Sequence, residues 1–517
     1  MGLAYSDIKI IPMPKQVKGK ENFPAEIPVE LFIHTEVQAW EKYLPAFIET
    51  VKKGHGVVFK KQKGGVEIVY NETLKRNEYT LKTTPNVRIE ASNGEGVCYA
   101  LATLVQLIEI KENKACVCEC EIYDYPETDY RGVMAYVSAK RVLKFEDLLV
   151  FADLCYLYKM NYLHVHFTDS SSYALPSRVL PKLSSKGAYT WEQIEKLKEY
   201  CEQRNITLIP EIDLPGHAVA MVKNCPEKFA NTYTVDFPYW EDGTPCAEEV
   251  ICVGKDGAFE TLERLIEEIA LTFPDSPYIH IGGDEVNHRI WDACDDCRAY
   301  MKKHNIKNSN ELYAHTIMRL ANKVIALGKR PIVWEGFSEE YVHLIPKECI
   351  IGVYESYYFL ADKLIEHGFD IINCSWEPLY SVSWGAEMWW VDMQPWGYKE
   401  ILDWDKYTFK NKYMKASPVH LKPMHLAPTN KVLGAQMCDW ACYFAQKIGY
   451  IREFVPAVAE RTWTVKRYCT DEQFLLKFIK TTRIFDELTE KRGLECDGED
   501  VISSWKDGNT FIDMLAK

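Results

Sequence analysis

Eight short apolar runs interleaved with helical patterns predict an α/β fold: a (β/α)8 TIM barrel, preceded by a smaller α+β domain and followed by a C-terminal helical tail. Two further observations support that class. Polar and aromatic residues gather where the short runs end, which is where such a barrel keeps its chemistry. The residues ahead of Asp129 also lack the strand–helix rhythm. The expected partition is 1–125, 126–465 and 466–517.

In the N-terminal unit, Ile8–Lys15 reads as an extended opening and Val37–Lys53 as a helix, with strands at Gly65–Tyr70, Glu78–Thr83 and Val87–Ala91. A helix follows over Gly94–Ile110, its apolar residues three and four apart. Cys116–Tyr123 is expected to close the unit as one strand, and the proline and acids of Asp124–Asp129 mark a linker. Barrel strands are expected at Arg131–Ser138, Tyr162–Thr168, Thr207–Asp213, Tyr278–Ile281, Pro331–Trp334, Ile350–Tyr354, Asp370–Ser375 and Val432–Met437. Helical patterns at Phe145–Met160, Trp191–Arg204, Phe259–Phe273, Asn310–Leu327 and Phe359–His367 separate most of them. The tail, from about Val455, carries two helical patterns. The second covers Glu472–Lys491, with Phe474, Leu475, Phe478 and Ile479 at core spacing.

Composition narrows the function. Hydrophobic residues make up 47% of the 517, enough for a packed core of this size. The net charge is −14 and no basic tract stands out, which argues against nucleic acid as a partner. No run of eighteen apolar residues exists to span a membrane, and the N-terminus lacks the cationic and apolar pattern of a signal peptide. Of the 17 cysteines, Cys155, Cys201, Cys374 and Cys438 sit inside apolar runs like small hydrophobes, so a reducing, cytoplasmic setting is expected. Cys116-Val-Cys118-Glu-Cys120 alternates like a strand, with its thiols on one face. Cys294-Asp-Asp-Cys297 has no evident matching pair of ligands elsewhere. Neither reads as a metal site, and no cofactor is expected. Four tryptophans between Met388 and Trp404 lie among polar residues, more than core packing readily explains.

The most informative segment is Tyr278-Ile-His-Ile-Gly-Gly-Asp-Glu-Val286. An apolar strand ends in two glycines, then in two adjacent carboxylates. Glycine lets the backbone turn sharply, and such a bend aims Asp284 and Glu285 at one pocket although strand neighbours point apart. Paired carboxylates in different environments are how acid catalysis is arranged near neutral pH. An isolated Asp-Glu is more often a surface pair at a helix start. The strand and glycines ahead of this one argue otherwise.

Three functions fit the strand-end residues. Cleavage of a glycosidic bond would use the two carboxylates inside an aromatic pocket. A metal-dependent hydrolase or lyase would use His164 and His166, which share a strand face, with Asp213, His217 and Asp284. A carbohydrate-binding barrel would use the same pocket without catalysis, although the intact Asp284-Glu285 pair argues against that.

His280-Ile-Gly-Gly-Asp-Glu285 resembles the signature of glycoside hydrolase family 20, the β-N-acetylhexosaminidases. The likeness continues in order through Tyr130-Arg-Gly-Val, Leu163-His-Val-His-Phe-Thr-Asp169, Pro210-Glu-Ile-Asp-Leu-Pro-Gly-His217, Val333-Trp-Glu335 and Leu433-Gly-Ala-Gln436…Trp440. Residues 1–125 are similar to the domain that precedes the barrel in that family. The resemblance implies retaining hydrolysis of a terminal β-linked N-acetylhexosamine on a glycan, in which the substrate's 2-acetamido oxygen is the nucleophile and an oxazolinium ion forms. It implies Glu285 as acid and base, Asp284 as the group that orients and stabilises the acetamido, and Tyr380 as donor to its carbonyl. Trp334, Tyr354 and Trp440 would wall the sugar, Arg131 and Asp169 would hold hydroxyls, and His217 would stand in the network near Glu285. No metal is implied. The chain departs from the family where Tyr354 replaces a tryptophan, where Val382 and Cys442 replace acidic or amide groups that grip the outer hydroxyls, and where Tyr136-Val-Ser-Ala-Lys140 replaces Asp-Val-Ser-Arg-His. Those losses point to relaxed or altered selectivity at C4 and C6, unless acids such as Glu387 or Asp392 replace them.

Overall fold

A computed structural model of the protein describes residues 8–19, 27–28, 32–112, 114–139, 141–233, 249–382, 396–411, 415–441 and 444–490. Eight parallel strands form the barrel: β1 (Tyr130–Tyr136), β2 (Tyr162–His166), β3 (Thr207–Glu211), β4 (Tyr278–His280), β5 (Arg330–Trp334), β6 (Ile350–Val353), β7 (Asp370–Asn373) and β8 (Val432–Trp440). They hydrogen-bond in sequence order, and β8 closes on β1 in a register from Tyr130↔Gly434 to Ala135↔Asp439. Every residue of β1 is buried. That is why these strands read as continuous apolar runs: helices cover one face and the barrel core the other. Gly352 on β6 leaves the space Trp334 needs, since a Cβ there would stand 2.7 Å from the indole.

The eight expected strands form at the expected places, and the five expected barrel helices appear as Phe145–Leu157, Trp191–Glu202, Ala258–Thr272, Ser309–Ala326 and Ala361–Glu366. Two short helices after β4, His288–Ala293 and Asp295–His304, were not foreseen. The second is mostly polar, so its periodicity is faint. The helix behind β8 begins at Phe444, ahead of the expected Val455, and continues to Trp463 through Pro456. The tail helix, Asp471–Leu488, buries Phe474 and Phe478 and packs against the N-terminal unit's helix Leu44–His55.

In the N-terminal unit a seven-stranded sheet carries the helices Leu44–His55 and Gly94–Leu107. The run Cys116–Tyr123 is not one strand. Lys114–Val117 joins a separate three-stranded sheet and Cys120–Asp124 joins the large one, so the three thiols do not share a strand face. At the start of the expected linker Asp124 is a buried junction with the barrel, whereas Glu127 and Asp129 further along are exposed. Asp124 accepts from Lys159 Nζ (3.0 Å), Tyr79 OH (2.8 Å), Trp463 Nε1 (2.8 Å) and the Lys15 amide (3.1 Å).

Candidate active site

Glu211 at the end of β3 organises the barrel's interior. His280 Nδ1 lies 2.9 Å from its Oε1, Trp334 Nε1 donates to the same oxygen at 2.8 Å, His164 Nε2 lies 3.0 Å from Oε2, and His166 Nδ1 bonds that oxygen as well. Burial opposes its charge, yet the three imidazoles hold the carboxyl well below the usual carboxylate range. His164 is dominated by burial and falls to about 4, whereas burial of His166 is overcome by Glu211 and Asp169, which hold it well above its ordinary value. The connection runs across the barrel. Tyr130 OH donates to Gln436 (2.6 Å), Gln436 Nε2 meets His164 Nδ1 (3.0 Å), and His166 Nε2 lies 3.3 Å from Asp169. His217 then lies 3.6 Å from Asp169, 3.7 Å from Asp284 and 3.6 Å from Glu285.

The two carboxylates stand just past β4. Gly282 and Gly283 have φ of +70° and +108°, and a Cβ on Gly282 would run into the Asp213 carboxylate. The Gly283 amide donates to Asp213 Oδ1 at 3.2 Å, and Tyr313 OH donates to the Gly283 carbonyl. Glu285 itself has φ +51°, a left-handed conformation uncommon for a side-chain-bearing residue and often retained at functional sites. Asp284 is buried, whereas 52% of the Glu285 side chain is open to the mouth. The enclosing walls raise both carboxyls; His217 opposes this in each, and the Asp284 charge adds to the shift of Glu285. His217, itself at φ +47°, would be lowered by burial, but Asp284, Asp213 and Asp169 hold it well above its ordinary range.

Aromatic rings wall the space above. Trp334 meets Tyr354 edge-on at 5.8 Å between centroids, and Tyr354 faces Tyr380 at 6.3 Å with planes 5° apart. Tyr380 then lies 6.1 Å from Trp440, and Trp440 lies 5.4 Å from Tyr136. Tyr380 comes from a short extra strand, Tyr380–Val382, paired to β8 beside Cys438. The expected residues Asp284, Glu285, Asp169, His217, Trp334, Tyr354, Tyr380 and Trp440 thus converge at the C-terminal end of the barrel. Val382 is buried there too. Cys442, Glu387 and Asp392 lie outside the described residues.

Arg131 does not belong to this site. It is the second residue of β1, at the opposite end of the barrel, and its guanidinium donates to Lys159 O (3.0 Å), Thr128 O (2.6 Å) and Tyr99 OH (2.7 Å) beneath the Trp463 ring. At the pocket end of the same strand stand Tyr136, Ser138 and Ala139. Two of the four tryptophans between Met388 and Trp404 also prove structural. Trp396 donates to Tyr380 O (3.1 Å) and Trp404 to Thr408 O (2.8 Å), both buried.

Two further acids stand beside the pocket. Glu335 is fully buried after β5 and accepts from the Tyr357 amide at 3.0 Å, fixing the loop that follows β6. Burial pushes its carboxyl well up. Glu355 on that loop is pushed up to about 8 by burial and by the nearby Glu285 and Asp284 charges.

Sets of imidazole and carboxylate atoms close enough to share an ion occur here: His164–Glu211–His280, His166–Glu211–Asp213 and Asp213–His217–Asp284. The first two depend on Glu211, whose oxygens already serve three imidazoles and an indole N–H. Among the described residues no such set joins His164 or His166 to Asp284, as the metal-dependent reading requires.

Comparison with known proteins identifies the family and the fold. The pattern described as "Glycosyl hydrolase family 20, catalytic domain" matches residues 129–466, and that for "domain 2" of the family matches residues 7–125. A beta-hexosaminidase of Vibrio furnissii is 28% identical over 73% of this chain and 63% of its own length. One of Porphyromonas gingivalis is 30% identical over 52% of this chain and 36% of its own. The chain therefore spans less than two thirds of either relative. Among solved structures, a GH20 exo β-N-acetylglucosaminidase from Vibrio harveyi superposes with a TM-score of 0.78 at 23% identity, covering 94% of this chain and 78% of that one. A β-N-acetylhexosaminidase from Bacteroides fragilis superposes at 0.74 and 21% identity, covering 94% and 96%.

Proposed function

We propose, for a chain that belongs to glycosyl hydrolase family 20, that it removes a terminal β-linked N-acetylhexosamine with net retention, using the substrate's own acetamido group as nucleophile. The observation that carries the reading is the pair Asp284–Glu285, turned into one aromatic-walled pocket by Gly282 and Gly283. Glu285, raised and half-exposed, protonates the leaving oxygen and later takes a proton from water. Asp284 faces the acetamido N–H and stabilises the positive charge that develops on the closing ring. Its Oδ1 has no hydrogen-bond partner among the described residues, which leaves it available to the substrate. Tyr380 donates to the acetamido carbonyl, and Trp334, Tyr354 and Trp440 enclose the sugar. Asp169 positions His217, whose charge holds Asp284 toward its ionised form.

Hydrolysis of an aryl β-N-acetylglucosaminide, compared with the aryl β-glucoside that lacks the acetamido group, tests this mechanism. The first should release its chromophore and give β-configured product by NMR, while the second should be inert. Comparable rates on both would rule out substrate assistance. The outer end of the sugar meets buried, apolar Val382 where the family usually carries an acid or amide. A hydrogen bond to a charged group contributes roughly 1.5–3 kcal/mol, so weak discrimination at C4, or acceptance of substituents at C4 or C6, follows. Comparing kcat/KM for β-GlcNAc, β-GalNAc and 4- or 6-substituted aryl glycosides decides it. Strict preference for unsubstituted GlcNAc would refute it.

A further inference from the structure

Behind the loop that carries Asp284 and Glu285, three cysteines from two distant segments meet in the core. Cys294 caps the helix Asp295–His304, and Cys297 is that helix's third residue, so both sulfurs face the same side of its first turn. Cys252 comes from the stretch after β3 and brings its sulfur 3.5 Å from that of Cys294 and 3.7 Å from that of Cys297. All three side chains are fully buried. The sequence alone offered Cys294-Asp-Asp-Cys297 without matching ligands, because the third thiol lies 42 residues away from the first.

The surroundings are built around these sulfurs. A Cβ on Gly254 would collide with the Asp296 carbonyl and the Cys297 amide, so the Cys252 loop lies directly on the Cys294–Cys297 turn. Trp291 Nε1 donates to Ile251 O at 2.8 Å and the Cys252 amide to Phe229 O at 2.9 Å, pinning the loop from both sides. The Thr232 amide points at Cys294 Sγ at 3.5 Å, the outer-shell bond that steadies a metal thiolate. A helix N-terminus also favours thiolate over thiol.

We infer that Cys252, Cys294 and Cys297 supply three thiolates to a zinc ion, with one further donor completing its tetrahedron. Zinc–sulfur bonds of about 2.3 Å in a tetrahedron set sulfurs about 3.8 Å apart, close to the separations found. A disulfide would need its sulfurs at about 2.05 Å, much nearer than these. Ordinary buried thiols behave as small hydrophobes, whereas here the Cys252 sulfur lies against both others and all three fall within 4.8 Å of one another. The ion would tie the chain after β3 to the chain nine residues beyond Glu285, clamping the loop that holds both carboxylates.

Metal analysis of the intact purified protein tests this without reference to activity. About one zinc per chain should survive gel filtration, and cobalt substitution should give a sulfur-to-cobalt charge-transfer band. Cys294→Ser and Cys252→Ser should each lose the zinc, while Cys116→Ser keeps it. Should the serine variants fail to fold, a mercurial titration of the wild-type protein replaces them, releasing zinc in step with modification of these three sulfurs. Protein free of zinc after growth and refolding in its presence overturns the proposal. So does a Cys252–Cys294 disulfide found by mass spectrometry.

Discussion

At the seam beneath the barrel, each charged head is held by fixed partners. Lys159 bonds Asp124 and Tyr79 and lies over Trp463, while Arg131 spreads its donors over two carbonyls and a phenol. At the mouth the reverse holds. Asp213 Oδ2, Asp284 Oδ1, Glu335 Oε2, Glu355 Oε2, Tyr354 OH and Trp440 Nε1 are all buried, and none has a hydrogen-bond partner among the described residues. Satisfied charge is a fastening, since the groups that would bind anything else are already engaged. A cluster of unsatisfied polar atoms is a site that awaits its ligand, because folding alone does not compensate their lost hydration.

The largest expected effect breaks the fastened end. Asp124→Ala leaves Lys159 charged and unpaired in the core, and should cost about 3–5 kcal/mol in denaturant unfolding. The kcat of the surviving folded enzyme should be unchanged. A loss below about 1 kcal/mol, or a direct loss of turnover, would erase the distinction between the two ends.

Next come the carboxylates at the mouth. Glu285→Gln and Asp284→Asn should each lower kcat by ~10²-fold or more while leaving the melting temperature level or higher, because each removes charge from a crowded acidic site. Glu285→Gln should hurt sugar leaving groups more than nitrophenol, which needs no protonation. Equal losses on both would remove Glu285 from the role of acid.

Glu355 sharpens the comparison by pH. Its carboxyl is raised from an ordinary 4.5 to about 8 in the folded protein, so between those values the native state keeps a proton that the unfolded chain releases. Its contribution to stability therefore declines as pH rises from about 4.5 to about 8. Glu355→Gln should remove a slope of roughly 4–5 kcal/mol across that window, read from urea unfolding near either limit. An unchanged slope would mean that Glu355 is ionised in the native protein.

The smallest effect separates the two arginine readings. Arg131→Met should cost about 1–3 kcal/mol of stability through the hydrogen bonds it strands, with KM for the aryl glycoside unaltered. A raised KM with normal stability would return Arg131 to the pocket.

How legible each end was follows from the same physics. The strands were readable because burial on both faces makes them uninterrupted apolar runs, and Asp284–Glu285 because two glycines announce the turn that presents them. Arg131 was misplaced because a short strand of known position still has two ends, and only the end that opens on the pocket carries chemistry. Glu211 looked like one strand-end acid among several. Its standing as hub depends on His164, His166, His280 and Trp334 coming from three other strands, a convergence that no local pattern encodes. Cys116–Tyr123 misled because a break between two sheets leaves the alternation of side chains almost intact.

The seam also governs how the molecule can be dissected. Asp124 belongs to the last strand of the N-terminal unit and Lys159 to the barrel, while Trp463 ends the helix behind β8 and donates its indole proton across to Asp124. Met13 reaches the same place from the opposite terminus, its amide donating to Glu460 at 2.9 Å. A barrel excised at residue 126 would carry a lysine and an arginine facing water through a hole that the missing sheet once plugged. What the sequence presents as modules in tandem is fastened together here, and a designer wishing to swap the first for another would have to transplant these contacts together with it.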